Sequence, residues 1–197
     1  FRGIWIKSRY SVKHRTHEGE YHTKLIESKL GKTVVTLPEG AFLEGGDISY
    51  IETCQGSYYF GGLSRSNQLG HDFVRSIINP DHFILVESDG YHLDTVFTPV
   101  LTEDNCLAAV IITADMLSAK SLVAIEALGV KVIEVSAMDS SGIEDELGVY
   151  AVNALVAPGI MVNSSYFSTP GVEDFLKEIG VKRFVTPLTS FRYAGGS

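Results

Sequence analysis

Two short polar segments carry the side chains best suited to chemistry. Glu44-Gly45-Gly46-Asp47 and Tyr91-His92-Leu93-Asp94 occupy matching places in two successive copies of one structural unit. An imidazole is the best acid or base near neutral pH, and a neighbouring carboxylate orients its ring and raises its proton affinity. Carboxylates also bind a planar guanidinium through paired, charge-assisted hydrogen bonds. The two segments therefore predict a site for acid–base chemistry, in which the carboxylates are suited to hold a cationic group.

The pattern places these polar groups on the first strand of each of several hairpins. We expect these strands at 42–51, 91–101 and 149–156, and the third carries Asn153 where an apolar residue would pack. If the units surround a common axis, the polar residues point into one central pocket. An unpartnered buried charge costs several kcal/mol, so function is the simplest compensation. For any one of these residues alone, an ordinary turn or strand-edge role remains open.

The elements that must position these side chains repeat along the chain. Each copy runs from an apolar strand through a turn and a second strand into an amphipathic helix, which leads to a short β-branched strand. These closing strands recur about every 50 residues. We expect them at 31–35, 80–84, 129–133 and 180–184. The sequence therefore predicts an α/β fold made of several β-β-α-β units.

Local signals predict four helices. Ser168-Thr169-Pro170 indicates a cap followed by proline at the first helical position, and Gly180 ends that helix. The other helices are expected over about 17–30, 67–78 and 116–128. The one at 67–78 should stop before Asn79-Pro80, because the residue preceding a proline is pushed out of helical geometry.

Both ends of the sequence are abrupt. It begins at Phe1 rather than methionine and enters a strand almost at once. At the other end, Ala194-Gly195-Gly196-Ser197 follows the last unit, and no further element comes after it. We therefore expect a single domain over 1–197 that is truncated at both ends.

Composition excludes several classes of partner. The 197 residues are 45% hydrophobic and 20% charged, which suits one large domain with a sizeable core. A formal charge of −8 without a lysine or arginine cluster argues against nucleic acid. The longest apolar stretch, Cys106 to Ala114, is far below the roughly 18 residues that cross a bilayer, so no membrane partner is expected. Two cysteines are too few for a disulfide framework in a domain of this size, which favours a cytoplasmic setting.

A metal site is the alternative use for a histidine among carboxylates. A single histidine with separated carboxylates lacks the His-x-x-x-His or Cys-x-x-Cys spacing of a zinc site. His14, His17 and His22 sit around the start of a helix, where solvated side chains are the simpler interpretation. We therefore expect no metal and no other cofactor.

Three ordered segments carry a resemblance to known enzymes. They are Leu43-Glu44-Gly45-Gly46-Asp47, Gly62-Leu63-Ser64-Arg65-Ser66-Asn67 and Tyr91-His92-Leu93-Asp94-Thr95-Val96-Phe97. They resemble motifs of the guanidino-group-modifying superfamily, which includes arginine deiminases, dimethylarginine dimethylaminohydrolases and amidinotransferases. The resemblance covers nearly the whole chain. It implies a five-bladed α/β-propeller of β-β-α-β units, the pentein fold, here incomplete at both ends.

The resemblance assigns catalytic roles to two residues and substrate contacts to others. It implies that His92 protonates the leaving amine and later activates water, and that Glu44 holds the guanidinium and steadies His92. Asp94 would contact the other guanidino nitrogens. Arg65 resembles the arginine of the family's Arg-Thr-Asn motif, although this chain has serine at the middle position.

Three further residues join the predicted substrate-binding set. Arg15, with Glu18 after it, resembles an Arg-x-x-Glu pattern, for which a charged helix start is an equally good interpretation. Asp47 is expected to fix the Gly-Gly bend or to arrange the site rather than to touch substrate. Asn153 completes the set from the third unit.

The family reaction needs a cysteine nucleophile that forms a covalent thiouronium intermediate, which water then resolves. Cys54 beside a hairpin turn and Cys106 on a second strand do not match its motif, and we expect both to be inert thiols. In the family, a segment resembling Ala194-Gly195-Gly196-Ser197 is followed within a few residues by this cysteine. We therefore predict a nucleophile just beyond Ser197.

These points favour a hydrolase of arginine-like guanidines that yields a ureido product. Asp94 beside His92 resembles enzymes that grip an unsubstituted guanidinium on both sides, whereas a dimethylated nitrogen cannot donate to a second carboxylate. Methylarginine stays open because the chain length suits dimethylarginine hydrolases, and amidinotransferases also use a His-x-Asp pattern. A non-catalytic guanidine-binding or structural relative is an alternative of another class. A homodimer is also left open.

Overall fold

The structure is a computed structural model that describes residues 3–187 together with Ser190 and Tyr193. Its helices there are α1 (Thr16–Leu30), α2 (Gln68–Ile78), α3 (Ala119–Glu126) and α4 (Val172–Glu178). Its strands are β1 (Trp5–Ile6), β2 (Val34–Val35), β3 (Ile48–Thr53), β4 (Gly56–Gly62), β5 (His82–Val86), β6 (Phe97–Leu101), β7 (Leu107–Ile112), β8 (Lys131–Glu134), β9 (Gly142–Ile143), β10 (Glu146–Leu147), β11 (Leu155–Ala157), β12 (Ile160–Asn163) and β13 (Lys182–Val185).

The same three-stranded sheet occurs three times within the described part of the chain. The sheets have the orders β3-β4-β5, β6-β7-β8 and β11-β12-β13. In each, an antiparallel hairpin is followed by a helix and then by a strand that pairs in parallel with the second hairpin strand. β1 and β2 form a parallel pair on either side of α1. The predicted β-β-α-β repeat is confirmed, whereas its arrangement as a closed ring of five units stays a prediction.

The helix ends follow the capping signals in the sequence. The Asn67 side chain accepts a hydrogen bond from the Gly70 amide at the start of α2, and Asn79, at φ 42°, ends that helix before the proline. Ser118 caps α3 in the same way. Gly31 ends α1 at φ 60°, a left-handed conformation in which glycine has no Cβ penalty.

The last helix begins later than the sequence predicted. α4 starts at Val172, and Gly171 precedes it at φ 82°. Ser168 and Thr169 do not cap it; instead their backbone amides and hydroxyls donate to the buried carboxylate of Asp139. The cap prediction was wrong because a buried carboxylate from another loop competes for these hydroxyl and amide donors.

Apolar side chains lock neighbouring units together. The cluster between the first two sheets contains Phe60 from β4, Phe97 from β6 and Ile125 from α3, all essentially inaccessible to solvent. The Phe60 and Phe97 ring centroids are 4.5 Å apart. Each such side chain contributes about 1.5–3 kcal/mol by burial. The relative placement of the two units is therefore set by a tightly packed core.

The predicted site residues lie just before the first strands, not on them. β3, β6 and β11 begin several residues later than expected, at Ile48, Phe97 and Leu155. Glu44 and His92 each immediately precede a short 3-10 turn, at Gly45–Asp47 and Leu93–Thr95. Glu44 and His92 are therefore the equivalent residues of successive units. The alignment of the two tetrapeptides in the sequence was wrong by one residue. The strand prediction failed here because each turn makes local main-chain hydrogen bonds in place of a ladder.

The prediction that both cysteines are inert thiols was wrong. Cys54 and Cys106, 52 residues apart in sequence, form a disulfide between the tips of the β3–β4 and β6–β7 hairpins. Disulfides persist in oxidising compartments and are rare in the cytosol. The bond therefore weighs against a cytoplasmic setting, which stays a prediction. None of the helices in the described part of the chain combines the length and hydropathy that a membrane span requires.

Candidate active site

Glu44 is a buried carboxylate with four hydrogen-bond donors. Its Oε1 accepts from the amide and the hydroxyl of Ser11, at 3.1 and 3.2 Å. Its Oε2 accepts from Nη1 of Arg15 at 3.4 Å and lies 3.2 Å from Nε2 of His92. The Glu44 amide donates to Oγ of Ser66 at 2.9 Å. With only 1% of the residue exposed, these partners offset the desolvation of its charge.

The His92 ring is held against the main chain of Gly46. A Cβ added at Gly46 would lie 2.7 Å from both Cγ and Nδ1 of the imidazole, so only glycine fits there without displacing the ring. The Tyr91 ring meets the imidazole edge-on at a centroid distance of 4.6 Å. The His92 side chain retains 15% exposure beside the almost inaccessible Glu44. This arrangement suits a group that exchanges protons with a bound molecule.

The fold disturbs the ionisation of Asp94. Burial raises the pKa of its carboxyl from 3.8 to about 6; the neighbouring imidazole of His92 lowers that pKa in part, and Asp47 raises it. Its Oδ1 is buried without a hydrogen-bond partner among the described residues. An ionised carboxylate in this position is stabilised by a donor-rich cation, because an unpaired buried acceptor is costly.

A cavity of about 330 Å³ opens beside Asp94 and is also lined by Asn153, Asn163 and Thr186. This volume is at the lower end for small-molecule sites. Asn163, which the sequence analysis missed, is held by donating to the Ala151 carbonyl at 2.6 Å and accepting from Arg183 at 2.8 Å. The signal in the sequence that could have identified it is a polar residue at the end of the apolar segment 160–162.

Asp47 is buried and accepts only backbone amides in the contacts described. Its Oδ2 accepts from the amides of Arg65 and Ser66 at 2.9 and 2.7 Å, and its Oδ1 accepts from that of Leu93 at 3.1 Å. The contact with Leu93 ties the turn after Glu44 to the turn after His92. Asp139 plays the corresponding part in the third unit, where it holds the loop before α4. This recurrence favours a positioning role for Asp47 over contact with substrate.

Two guanidinium groups stack on aromatic rings, and one of them, that of Arg15, also pairs with carboxylates. Arg15 makes a two-pronged ion pair with Glu18, at 2.8 and 2.9 Å, and its guanidinium lies 4.1 Å from the centroid of the Tyr10 ring. This pairing lowers the pKa of Glu18 and raises that of Arg15. The Arg65 guanidinium stacks on the Tyr91 ring at 4.1 Å.

The structure therefore brings the predicted residues together in two linked groups. Glu44, His92 and Arg15 meet directly, and Asp94 shares a cavity with Asn153. Sequence reasoning missed two serines that hold Glu44. Ser66 was identifiable as the middle residue of the Arg65-Ser66-Asn67 motif, whereas Ser11 had no local signal. The segment expected to precede the nucleophile, 194–197, lies outside the described residues.

No family model and no curated protein sequence matches this chain. Solved structures do match it. The N-terminal domain of ArgZ, an arginine dihydrolase of the ornithine-ammonia cycle in Cyanobacteria, was solved with a cysteine-to-serine substitution and bound substrate. It is 26% identical with a TM-score of 0.78 over 97% of this chain and 66% of that one. Apo ArgZ is 27% identical with a TM-score of 0.79, over 97% of this chain and 27% of that one.

A second relative extends the likeness. DDAH from Pseudomonas aeruginosa, a cysteine-to-serine variant in complex with citrulline, is 17% identical with a TM-score of 0.68, over 97% of this chain and 67% of that one. At this identity the match shows the fold alone. The resemblance to the guanidino-group-modifying superfamily is confirmed, and the α/β fold matches that of pentein enzymes. The chain spans about two thirds of the ArgZ N-terminal domain and about a quarter of the longer ArgZ chain.

Proposed function

We propose that this chain supplies the acid–base and guanidinium-binding groups of a hydrolase that cleaves a guanidino C–N bond of arginine or a substituted arginine. The observation that carries the proposal is the 3.2 Å contact between Nε2 of His92 and Oε2 of the buried Glu44. The unpartnered carboxylate oxygen of Asp94 lies two residues further along the same turn. ArgZ, at 26–27% identity, is an arginine dihydrolase, which supports the choice of reaction class.

Substrate binding follows from the two carboxylates. A guanidinium is planar and carries its N–H donors in a fixed fork that matches carboxylate oxygens. Asp94 offers a buried acceptor without a donor, and Glu44 offers Oε2 once the substrate guanidinium displaces the long 3.4 Å contact with Arg15. Binding of the cation would relieve the desolvation that raises the pKa of Asp94. Arg65, whose guanidinium stacks on the Tyr91 ring beside His92, is the proposed partner for the carboxylate of an amino-acid substrate, whereas Arg15 is already paired with Glu18 and Glu44.

The chemical steps assign proton transfer to His92. A thiolate attacks the guanidino carbon, and the imidazolium of His92 gives its proton to the departing nitrogen, which leaves as an amine or ammonia. The neutral imidazole then takes a proton from water, which attacks the thiouronium carbon. The C–S bond breaks, and the ureido product and the thiolate are released. Glu44 orients the imidazole and stabilises its charged form throughout.

The nucleophile is proposed to be a cysteine that follows Ser197. Both cysteines of this chain are joined to one another, so neither offers a free thiolate. An ArgZ N-terminal domain structure, 25% identical to this chain, holds a covalently bound reaction intermediate. This finding supports covalent catalysis as the proposed route here.

Calorimetry tests the binding half of the proposal. The chain is titrated with L-arginine and with asymmetric dimethylarginine, alongside the Glu44→Gln variant and a Glu126→Gln control on the exposed end of α3. We expect arginine to bind more tightly than dimethylarginine, Glu44→Gln to weaken binding more than tenfold, and the control to match the unsubstituted chain. Absence of arginine binding, or equal binding by Glu44→Gln, would contradict the proposal.

Turnover is measured on a longer protein, defined as this chain extended past Ser197 by the proposed cysteine-bearing segment. One ammonia with citrulline indicates a deiminase. Two ammonia with ornithine and carbon dioxide indicate a dihydrolase. Formation of ornithine and guanidinoacetate only when glycine is added indicates an amidinotransferase. Binding without turnover in a protein with an intact cysteine would indicate a guanidine-binding relative instead of an enzyme.

A further inference from the structure

Ser11 holds one oxygen of Glu44 with two hydrogen bonds. Its amide and its hydroxyl both donate to Oε1, at 3.1 and 3.2 Å. The other oxygen, Oε2, is the one near His92 and Arg15. A carboxylate oxygen accepts about two hydrogen bonds, so Ser11 fills the acceptor positions of Oε1 and leaves Oε2 as the oxygen that faces the reacting groups.

The position of Ser11 is itself fixed by the fold. Two residues before it, Arg9 forms a β-bridge with Leu43, with reciprocal backbone hydrogen bonds of 3.2 and 3.0 Å. The Arg9 guanidinium also donates to the carbonyls of Pro38 and Leu37, at 2.6 and 3.1 Å. The segments that carry Ser11 and Glu44 are therefore joined by main-chain contacts. Such support pre-organises a functional carboxylate.

Rotation of the carboxylate is the motion that this contact restrains. The terminal torsion of a glutamate is broad and roughly two-fold, so packing alone selects its plane weakly. Without the Ser11 hydroxyl, Oε1 keeps only the Ser11 amide as a donor. A tilted carboxylate would present Oε2 to His92 and to a guanidinium in poorer geometry.

We infer that Ser11 is a positioning residue that sets the plane of Glu44 for the reaction; this inference rests on the proposed function. Ser11 touches no reacting atom and acts through Glu44. It is exposed, so threonine can replace it without losing the hydroxyl or meeting a packed neighbour. Alanine removes the hydroxyl and leaves the amide contact in place.

The test compares Ser11→Ala with Ser11→Thr. Ser76→Ala is a matched control, because the Ser76 hydroxyl on α2 donates to the Phe73 carbonyl outside the site. We expect Ser11→Ala to weaken arginine binding about tenfold and to lower kcat/KM of the longer protein by a similar factor, as suits one lost hydrogen bond to a charged group. Ser11→Thr should restore both to within about threefold, and all three variants should unfold within about 3 °C of the parent chain.

The outcomes separate this inference from the proposed function. If the unsubstituted chain fails to bind arginine, the proposed function and the role of Ser11 are both overturned. If the chain binds arginine and Ser11→Ala binds it equally well, only the role of Ser11 is overturned. Loss of binding in Ser11→Thr as well as Ser11→Ala would also overturn it, because the hydroxyl would then not be the group that matters.

The disulfide carries a second and independent inference. Besides the Cys54–Cys106 bond, three hydrogen bonds join the same two hairpin tips. The Cys54 amide donates to the Asn105 carbonyl at 2.9 Å, the Asn105 side chain donates to the Glu52 carbonyl at 2.9 Å, and the Leu107 amide donates to the Gln55 side chain at 2.7 Å. The tips therefore have contacts that do not depend on the bond between the sulfurs.

The disulfide and these three hydrogen bonds lie at the end of the hairpins away from the site. β3 runs six residues from the turn that carries Asp47 to the tip that carries Cys54, a span of about 20 Å at roughly 3.3 Å per residue. Cys54 is exposed and Cys106 half-buried, so a dithiol reductant can reach the bond. One reductant thiolate attacks a protein sulfur, the second resolves the mixed disulfide, and two electrons and two protons pass to the cysteines.

The structure assigns this disulfide to redox control of the stability of the fold, with the geometry of the site left unchanged. In the unfolded state, reduction opens a loop of 52 residues and so raises the conformational entropy of the chain. In the folded state, the hydrogen bonds between the tips and the core between the sheets remain. The loop-entropy account then gives a melting temperature about 10 °C lower for the reduced protein.

The experiment measures thermal unfolding and arginine affinity with and without dithiothreitol. A Cys54→Ser, Cys106→Ser double variant is measured in parallel. We expect the reduced chain and the double variant to melt about 10 °C below the oxidised chain, with arginine affinity at 20 °C within twofold in all three. Equal melting temperatures, free thiols in the unreduced chain, or a loss of arginine affinity on reduction would overturn the inference.

Discussion

Replacing Gly46 by alanine should separate the His92 ring from Glu44. The added Cβ would lie 2.7 Å from Cγ and Nδ1 of the imidazole, whereas ordinary contacts begin at 3.4 Å, so the ring must retreat by about 0.7 Å. A shift of that size along the line between the two groups would lengthen the contact between Nε2 and Oε2 from 3.2 to about 3.9 Å. This exceeds the roughly 3.2 Å limit of ordinary N–H···O hydrogen bonds.

The neighbouring glycine provides a matched control. A Cβ added at Gly45 meets no atom within 4 Å. Gly45→Ala and Gly46→Ala therefore change the same turn by the same group, and only the second reaches the imidazole.

The expected loss follows from the hydrogen bond that is broken. A bond to a charged group contributes about 1.5–3 kcal/mol, which corresponds to a fall of about 10- to 150-fold in kcat/KM for Gly46→Ala. Gly45→Ala should remain within about threefold, since nothing opposes its methyl group. Steady-state kinetics on the longer protein measure the effect, and circular dichroism checks that both variants fold. Equal activity of two folded variants would refute the argument that the main chain at Gly46 positions His92.

Three further predictions concern the buried carboxylates. Asp94→Asn should raise the free energy of unfolding at pH 7 by up to about 3 kcal/mol, because a folded-state pKa of about 6 instead of 3.8 means that the buried charge destabilises the fold. Urea titrations should show this gain in full above about pH 6 and none of it by about pH 4. Arginine affinity in the parent chain should be flat above pH 6 and fall about tenfold per pH unit below it by calorimetry, as Asp94 beside His92 and Asp47 takes up one proton; an unchanged affinity at pH 5 would exclude Asp94 as a ligand. Asp47→Asn should lower the free energy of unfolding by about 2–4 kcal/mol, since three backbone amides lose a charged acceptor, whereas Asp72→Asn on the exposed face of α2 should have little effect.

Much of the local architecture was predictable because its causes are local. Capping residues, left-handed glycines and the proline after Asn79 act within a few residues, and these local signals placed all four helices within a few residues of their observed ends, although the cap of α4 differs from the predicted one. The period of about 50 residues predicted the closing strands. The same period held an unused signal, because the disulfide-bonded cysteines are separated by 52 residues, close to one repeat. Residues one repeat apart occupy equivalent places in neighbouring units and can therefore meet.

The sequence by itself determined the repeated unit and the residue types that a guanidinium site needs. Glu44, His92 and Asp94 were identifiable because polar residues interrupt apolar segments, and that pattern is visible along one dimension. Only the tertiary structure decided how these groups pair: Ser11 reaches Glu44 across 33 residues, and Asp47 binds backbone amides of two other segments. Backbone amides carry no side-chain identity that a sequence could display. The contacts that set the plane of Glu44 and hold the turns beside it therefore become visible only when the chain is folded.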